Sequence, residues 1–259
     1  MWIADGWKDY EVIDTSCGEK LERWGDYLLV RPDPQVIWDT PKVNKGWKHM
    51  NGHYHRSKKG GGEWEFFDLP EQWDIHYKGL TFNLKPFSFK HTGLFPEQAA
   101  NWDWMQKKIR EADRPISVLN LFAYTGAASL AAKAAGADVT HLDSVRQVVT
   151  WAKGNMENSG LDNIRWVVED ALKFARREAK RGNVYQGIIL DPPAYGHGPD
   201  GEKWKLDECL NDMLKCVSAI LAPTDSFMVL NLYSNGFSAV LGETVVRQNF
   251  CLKTGFKEI

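Results

Sequence analysis

The stretch from Ser117 to Asp143, SVLNLFAYTGAASLAAKAAGADVTHLD, constrains the fold of this chain more than any other. Val118, Leu119 and Leu121 form a short apolar run that Ala123-Tyr124-Thr125-Gly126 interrupts. Ala127 to Ala135 is alanine-rich and helix-favouring, with Gly136 at its stop. Val139 to Leu142 is a second apolar run, and it ends on Asp143. The order strand, glycine turn, helix, strand, acid is half of a nucleotide-binding βαβ unit.

Each residue type has a chemical reason to stand where it does. Gly126 lets the turn backbone come close to a ligand, and the helix that follows directs unpaired N–H groups and positive dipole towards it. An acid at the end of the next strand can accept both hydroxyls of a ribose, which makes Asp143 the expected ribose residue. Tyr124 and Ala127 stand where the dinucleotide fingerprint G-x-G-x-x-G wants glycine. A single glycine accommodates a pyrophosphate poorly, so the expected ligand is a nucleoside without phosphates, S-adenosylmethionine. A flavodoxin-like or other doubly wound domain with an incidental glycine is the competing reading.

At 259 residues the chain can hold one large domain or two smaller ones. No apolar run approaches membrane-spanning length, and Met1-Trp2-Ile3-Ala4-Asp5 does not begin a signal peptide, so a cytoplasmic protein without a membrane partner is expected. Cys17, Cys209, Cys216 and Cys251 form no C-x-x-C pair, and reduced thiols are the default. The net charge of −2 argues against a nucleic-acid binder coated in positive charge, but the distribution of charge says more. Between Lys42 and Gly60 lie six basic residues and no acid, interleaved with Trp47, Tyr54, His49, His53 and His55. Such a stretch can grip phosphates and stack bases, as an RNA partner requires; a solvated basic loop is the other reading. The three histidines lack cysteine partners and helical i, i+4 spacing, so no metal site is expected.

The first ninety or so residues do not alternate as βα units. Tyr10 to Asp14, Tyr27 to Arg31, Val36 to Trp38, Trp64 to Phe67, Ile75 to Tyr77 and Leu80 to Leu84 are short apolar or aromatic runs divided by Gly, Pro and Asp. They predict a smaller β-rich domain over residues 1–88, ahead of an α/β domain over 89–259. Nine of the twelve tryptophans fall between Trp2 and Trp104, where packing is the expected role. Gly60-Gly61-Gly62 reads as a loop without the Lys-Ser/Thr ending of a P-loop. Lys90 to Gln98, KHTGLFPEQ, joins the two domains, and Pro96 opens a helix predicted at about 97–112.

Beyond Asp143 the alternation continues. Ser144 is the expected cap of a helix whose apolar positions Val145, Val148, Val149, Ala152 and Met156 share a face. Ile164 to Val168 is the third strand, finishing at Glu169-Asp170, where an acid suits an adenine amino group and Asp170 equally suits a helix N-cap. In Gly187 to Gly198, GIILDPPAYGHG, a buried strand delivers Asp191-Pro192-Pro193 at its C-terminal end, where open α/β sheets place their chemistry. The prolines hold the backbone extended and can fix the Asp191 carboxylate and a backbone carbonyl as two convergent acceptors for an amino group. Tyr195 can stack on the ring that carries that group, and Gly198 to Lys205 can act as a lid. A rigid strand exit is the bland alternative for this turn.

LNLFAYTGAASLAAKAAGADVTHLD, the later D-P-P-A-Y and KHTGLFPEQ together resemble class I S-adenosylmethionine-dependent methyltransferases. Within that class the chain looks like the bacterial 23S ribosomal RNA methyltransferases with an N-terminal β module, over about residues 75–259. The resemblance implies a Rossmann-like sheet and a cofactor pocket lined by Phe122, Tyr124, Gly126, Asp143, Asp170 and Asp191. Thr125 and Ser144, in the same two turns, join that set, and Thr92, Phe95 and Gln98 are expected to close over it. Asp191, Pro192 and Tyr195 are the expected catalytic residues.

Two departures from the family pattern matter. Members that methylate C5 of cytosine use a cysteine after the fifth strand, whereas here Phe227 to Leu232 ends in Tyr233-Ser234-Asn235. Without a thiolate, cytosine C5 is a poor acceptor, so N-methylation of an RNA base is the expected reaction. The fold also commonly closes with an antiparallel strand pair, and only Cys251 to Ile259 follow the last expected helix, so a truncated chain is expected. Three other classes share parts of the pattern: a nicotinamide-dependent oxidoreductase, a non-catalytic RNA-binding protein with a vestigial pocket, and a small-molecule or protein methyltransferase.

Overall fold

The computed structural model describes residues 2–57, 61–87, 90–233 and 236–250. Two compact units follow one another in the chain, Met1–Ala100 and Asn101–Ile259.

The first unit is β-rich. Five strands, β1 (Tyr10–Ser16), β2 (Glu19–Trp24), β3 (Tyr27–Pro32), β4 (Gly52–Arg56) and β5 (Gly62–Phe66), form one sheet in sequence order. All neighbours are antiparallel except β3 and β4, which run parallel. A separate hairpin pairs β6 (Trp73–Tyr77) with β7 (Leu80–Leu84). Its two turn residues, Lys78 and Gly79, have φ of 44° and 86°, the left-handed pair that a tight hairpin with correctly twisted strands demands. β7 and β6 alternate cleanly, burying Trp73, Ile75, Tyr77, Leu80, Phe82 and Leu84 while their other residues face outward.

Three sequence expectations change here. β2 and β4 were not anticipated, because their charged and histidine residues mask the strand pattern. Val36 to Trp38 is not a strand; Val36 and Trp38 instead accept hydrogen bonds from the β1–β2 turn at Gly18 and Cys17. The Lys42–Gly60 segment is not a solvated loop where it is described: it holds a short 3-10 turn at Lys45–Lys48 and then β4. Trp47 and Tyr54 are buried, with the Trp47 indole donating to Asp14 Oδ2 at 2.7 Å, so these two rings pack the core instead of offering faces to bases. Gly62 is part of β5, while Lys58, Lys59 and Gly60 lie outside the described residues.

A buried ion pair sits inside this unit. Glu22 receives Arg31 Nε at 2.6 Å and Nη2 at 2.9 Å, and its Oε1 also accepts the Tyr10 hydroxyl at 2.7 Å. Arg31 Nη1 donates to the Lys90 carbonyl at 2.9 Å, which ties KHTG to the sheet. Burial works to raise the Glu22 carboxyl, but the Arg31 charge and hydrogen bonds outweigh it and hold the pKa at about 2.

α1 (Ala99–Arg110) buries Ala99, Trp102, Met105 and Ile109, the spacing of a one-faced helix, and follows a 3-10 turn at Pro96–Gln98. The second unit is a parallel sheet of β8 (Ser117–Leu121), β9 (Asp138–Asp143), β10 (Ile164–Val168), β11 (Gly187–Leu190) and β14 (Phe227–Leu230), in the order β10-β9-β8-β11-β14. The helices α2 (Ala127–Ala134), α3 (Arg146–Asn158), α4 (Ala171–Arg181), α5 (Leu206–Ile220) and α6 (Ala239–Phe250) separate or follow the strands. β11 reads as a continuous apolar run, and β8 is broken only by the buried Asn120 after its first residue, because both faces of a parallel sheet are covered. One core cluster joins Leu119, Leu121, Ile188 and Leu190 of the sheet to Phe174 of α4 and Met213, Leu214 and Val217 of α5. A small antiparallel hairpin, β12 (Tyr195–His197) with β13 (Lys203–Lys205), leaves the end of β11 and occupies part of the expected lid. Cys251 to Ile259, the stretch on which the expectation of a truncated chain rests, lie outside the described residues.

Candidate active site

The strand order reverses between β8 and β11. From β8 the chain steps outward to β9 and β10, then crosses to β11 and β14 on the other side. Such a switch point leaves a crevice at the carboxyl ends of the two central strands, because their following connections diverge to opposite faces. The register aligns those ends: Leu121 lies beside Leu142 and Leu190, and the Asp191 amide donates to the Leu121 carbonyl. Phe122 to Gly126, Asp143 and Asp191 therefore share one rim.

The turn after β8 is held in an unusual backbone conformation. Phe122 and Tyr124, neither of them glycine, have φ of 58° and 50°, and Gly126 has φ of 90°. Left-handed non-glycine residues cost roughly 1–3 kcal/mol each and gather where a loop must point its amides at a ligand. Two contacts enforce the shape: Ala123 N–H donates to the Leu142 carbonyl at 3.0 Å, and Tyr124 N–H donates to Asp143 Oδ2 at 2.9 Å. The Phe122 ring packs on Trp204 with centroids 4.7 Å apart. Thr125 is buried, and its carbonyl accepts the Asn155 side-chain amide at 3.0 Å, which anchors the turn to α3. A Cβ at Gly126 would approach the Ala152 Cβ to 2.9 Å, so Gly126→Ala combines a clash with backbone strain. Its expected cost is about 1–3 kcal/mol, read as a lowered melting temperature.

Asp143 is the hub of the rim. Its Oδ1 accepts the Val145 N–H at 3.0 Å while Oδ2 holds Tyr124. The two carboxylate oxygens carry four lone pairs between them, so the amides leave capacity for a further donor. Burial pushes the Asp143 carboxyl up, opposed by the amides of Val145, Tyr124 and Ser144. Ser144 does not cap the next helix as the sequence suggested. Val145 is the N-cap residue, exposed and with no side-chain cap bond, and its own amide is held by Asp143.

At the end of β10, Asp170 caps α4, accepting the Lys173 amide at 2.8 Å, and Glu169 pairs with Arg177 at 2.7 Å. Both acids thus have structural partners. Beyond β11, Pro192 is buried and Pro193 is exposed, with the Pro193 carbonyl accepting the Trp204 indole at 2.7 Å. Tyr195 projects from β12 with its ring about half exposed and its hydroxyl 3.0 Å from His197 Nε2. That partner, on the same short strand, left no signal in the sequence analysis. Thr92, Phe95 and Gln98 lie in the first unit: Thr92 is buried, its carbonyl accepting the Lys85 amide, and the Phe95 ring sits 5.1 Å from that of His91. Burial, then the charges of Arg31 and Lys90, lower the His91 pKa to about 4. A groove of about 430 Å³ opens at the opposite end of the sheet, between Ser117, Asp138, Thr140, Arg165 and Tyr185, away from this rim.

A family model described as S-adenosylmethionine-dependent methyltransferase matches residues 35–250. The chain belongs to that family. A solved structure of a SAM-dependent methyltransferase from Agrobacterium tumefaciens shares 40% sequence identity with this methyltransferase at a TM-score of 0.90, covering 94% of this chain and 79% of its own. Among curated relatives, the ribosomal RNA large subunit methyltransferase K/L of Pseudoalteromonas atlantica is 30% identical over 213 residues, 73% of this chain and 29% of the relative. The protein of the same name from Shewanella amazonensis is 29% identical over 239 residues, 88% of this chain and 32% of the relative. The chain thus spans less than a third of the length of either curated relative. The family's cofactor is S-adenosylmethionine, and the rim fits it: a carboxylate with spare acceptor capacity at the end of the second strand, and after the first a turn held in left-handed backbone conformation at Phe122, Tyr124 and Gly126. Among the described residues no helix is long and apolar enough to cross a membrane.

Proposed function

We propose that this protein transfers the methyl group of S-adenosylmethionine to an amino nitrogen of an RNA base, with ribosomal RNA as the substrate class. The observation that carries the reading is the position of Asp191-Pro192 at the end of β11, across the switch point from the turn after β8 and from Asp143. The cofactor supplies a methyl group already activated on a sulfonium. What remains for the protein is orientation and exclusion of water. Asp143 accepts the ribose hydroxyls, and the Phe122–Gly126 turn lies against the amino-acid portion. Asp170 serves the adenine edge, and Thr125 and Ser144 support the two turns. Thr92, Phe95 and Gln98 contact the cofactor on the strength of the family resemblance alone.

Asp191 and a carbonyl of its turn accept the N–H groups of the target amine and aim its lone pair at the methyl carbon, while Tyr195 stacks on the ring. Methylation at cytosine C5 is disfavoured because no cysteine stands between Val217 and Phe250. Cys216 lies in α5, and burial raises its thiol. Residues 1–88 serve as the RNA-binding domain and 89–259 as the transfer domain, in a cytoplasmic protein. The names of the curated relatives support the choice of ribosomal RNA.

Asp143→Asn is expected to weaken binding of S-adenosylmethionine and S-adenosylhomocysteine about 10- to 100-fold, because charge-assisted hydrogen bonds become neutral ones. Calorimetric titration of both ligands checks it, with NAD as a control; unchanged affinity removes Asp143 from the ribose role. Labelled methyl transfer onto ribosomal RNA tests the reaction itself, and absence of transfer to any RNA, with cofactor binding intact, overturns the substrate assignment.

A further inference from the structure

The sheet of the first unit carries a cluster of ligating side chains remote in role from the methyl-transfer rim. His53 and His55 occupy alternate positions of β4, so both side chains leave the same face of the strand. Glu65 of β5 is the register partner of His53 and joins that face from the neighbouring strand. The two imidazole rings stand 4.0 Å apart between centroids, and His55 Nε2 lies 2.8 Å from Glu65 Oε2. One ligand atom from each of His53, His55 and Glu65 falls within 4.8 Å of the other two. Four-coordinate zinc holds its ligand atoms about 3.3 Å apart, so these side chains need only small rotations to converge. A fourth group stands behind them: Glu19 of β2 meets His53 Nε2 at 2.7 Å and is itself held by Lys42 at 2.6 Å. A carboxylate on one ring nitrogen of a histidine fixes its tautomer and frees the other nitrogen as a ligand, the support that metal-bound histidines commonly have.

We infer that His53, His55 and Glu65 form a binding site for a divalent transition cation, with Glu19 orienting His53. Two imidazoles and one carboxylate suit zinc, copper or nickel, and three protein ligands at an exposed strand pair leave a coordination position open to water or to an incoming ligand. Backbone pairing sets the geometry, since β4 and β5 are in register from Gly52–Phe66 to Arg56–Gly62. The sequence hid the site because its third ligand comes from a different strand and the histidine spacing is that of a β-strand instead of a helix. The alternative account is two independent surface pairs, His53 with Glu19 and His55 with Glu65.

The inference does not depend on the methyl-transfer reading. The test is calorimetric titration of the full chain, free of any affinity tag, with Zn²⁺ near neutral pH, alongside the visible spectrum with Co²⁺. One equivalent of Zn²⁺ is expected to bind, and His55→Ala and Glu65→Gln are each expected to lower the affinity at least about 100-fold. Both variants should also lose the Co²⁺ ligand-field bands. His55 and Glu65 are exposed, so these changes leave the core intact, and circular dichroism verifies it. His76→Ala, which removes a lone histidine–Asp9 pair, should bind like the unsubstituted protein. Absence of one-equivalent binding, or an affinity unchanged in both folded variants, overturns the site and leaves the two independent pairs.

Discussion

Asp191→Ala is expected to lower methyl transfer by about 10²- to 10³-fold while leaving affinity for S-adenosylmethionine nearly unchanged. The size follows from what the side chain is asked to do. A methyl transfer in line with a sulfonium has no proton to remove first, so its rate depends on how often the amine lone pair lies on the axis of the breaking bond. Removing the carboxylate deletes an acceptor that restricts the amine. It does not move the strand end, because the amide of residue 191 still donates to Leu121 and Pro192 is still buried. The rim of Asp143 and the Phe122–Gly126 turn also stays in place. Single-turnover transfer and calorimetry, run on the same preparation, separate the two effects. Retained turnover takes Asp191 out of the acceptor-binding role; lost cofactor affinity moves it into the cofactor pocket.

Glu22→Ala is expected to destabilise the first unit by about 3–5 kcal/mol, a large part of the 5–15 kcal/mol that holds a domain of ordinary stability together. The carboxylate is fully buried and receives two donors from Arg31 and one from Tyr10. Its loss strands a guanidinium that is itself 5% exposed and keeps, among the described residues, the Lys90 carbonyl and the face of the Trp24 ring. The double substitution Glu22→Met with Arg31→Met should recover most of the loss, since no buried charge remains. Acid carries a second signature. A carboxyl held at about 2 in the fold and near 4.5 when unfolded stabilises fully above the higher value, and that contribution drains away as pH falls from about 4.5 towards 2. Urea midpoints should drop across that window in the unsubstituted protein and drop less in Glu22→Gln. Equal slopes would take the pair out of the acid response.

These two residues also mark what the sequence could and could not announce. Asp191 stood out because a parallel strand buried on both faces writes itself as an uninterrupted apolar run, here Ile188 to Leu190, and whatever polar residue ends that run is at the rim. Apolar content also exposed β8, β9 and β10, although Asn120, His141 and Arg165 interrupt them, and acids end β9 and β10. Glu22 did not stand out, because Glu19-Lys20-Leu21-Glu22-Arg23-Trp24 reads as a charged surface stretch until Arg31 is known to lie across the strand pair. β4 was hidden in the same way by its histidines, and β12–β13 by having only three residues on each side. Ser144 misled for a local reason. A serine is a common cap, but the preceding aspartate reaches the first free amide of the helix, and the cap position moved on to Val145. Val36 to Trp38 has the apolar content of a strand and no strand partner in register.

The strand order has a consequence for the time at which the rim comes into being. β8 and β9 adjoin in sequence and in space, so the turn after Leu121 and its Asp143 contact can form as soon as α2 has folded between them. β11 reaches its place beside β8 only after α3, β10 and α4 have been threaded between, a loop whose closure costs entropy before any contact repays it. During synthesis from the N-terminus, the β8–β9 side of the crevice is therefore complete in sequence before its β11 side. A nascent chain released or stalled before Asp191 emerges would carry the turn and its acid but no acceptor wall, and a ligand that spans both walls would favour completion of the sheet.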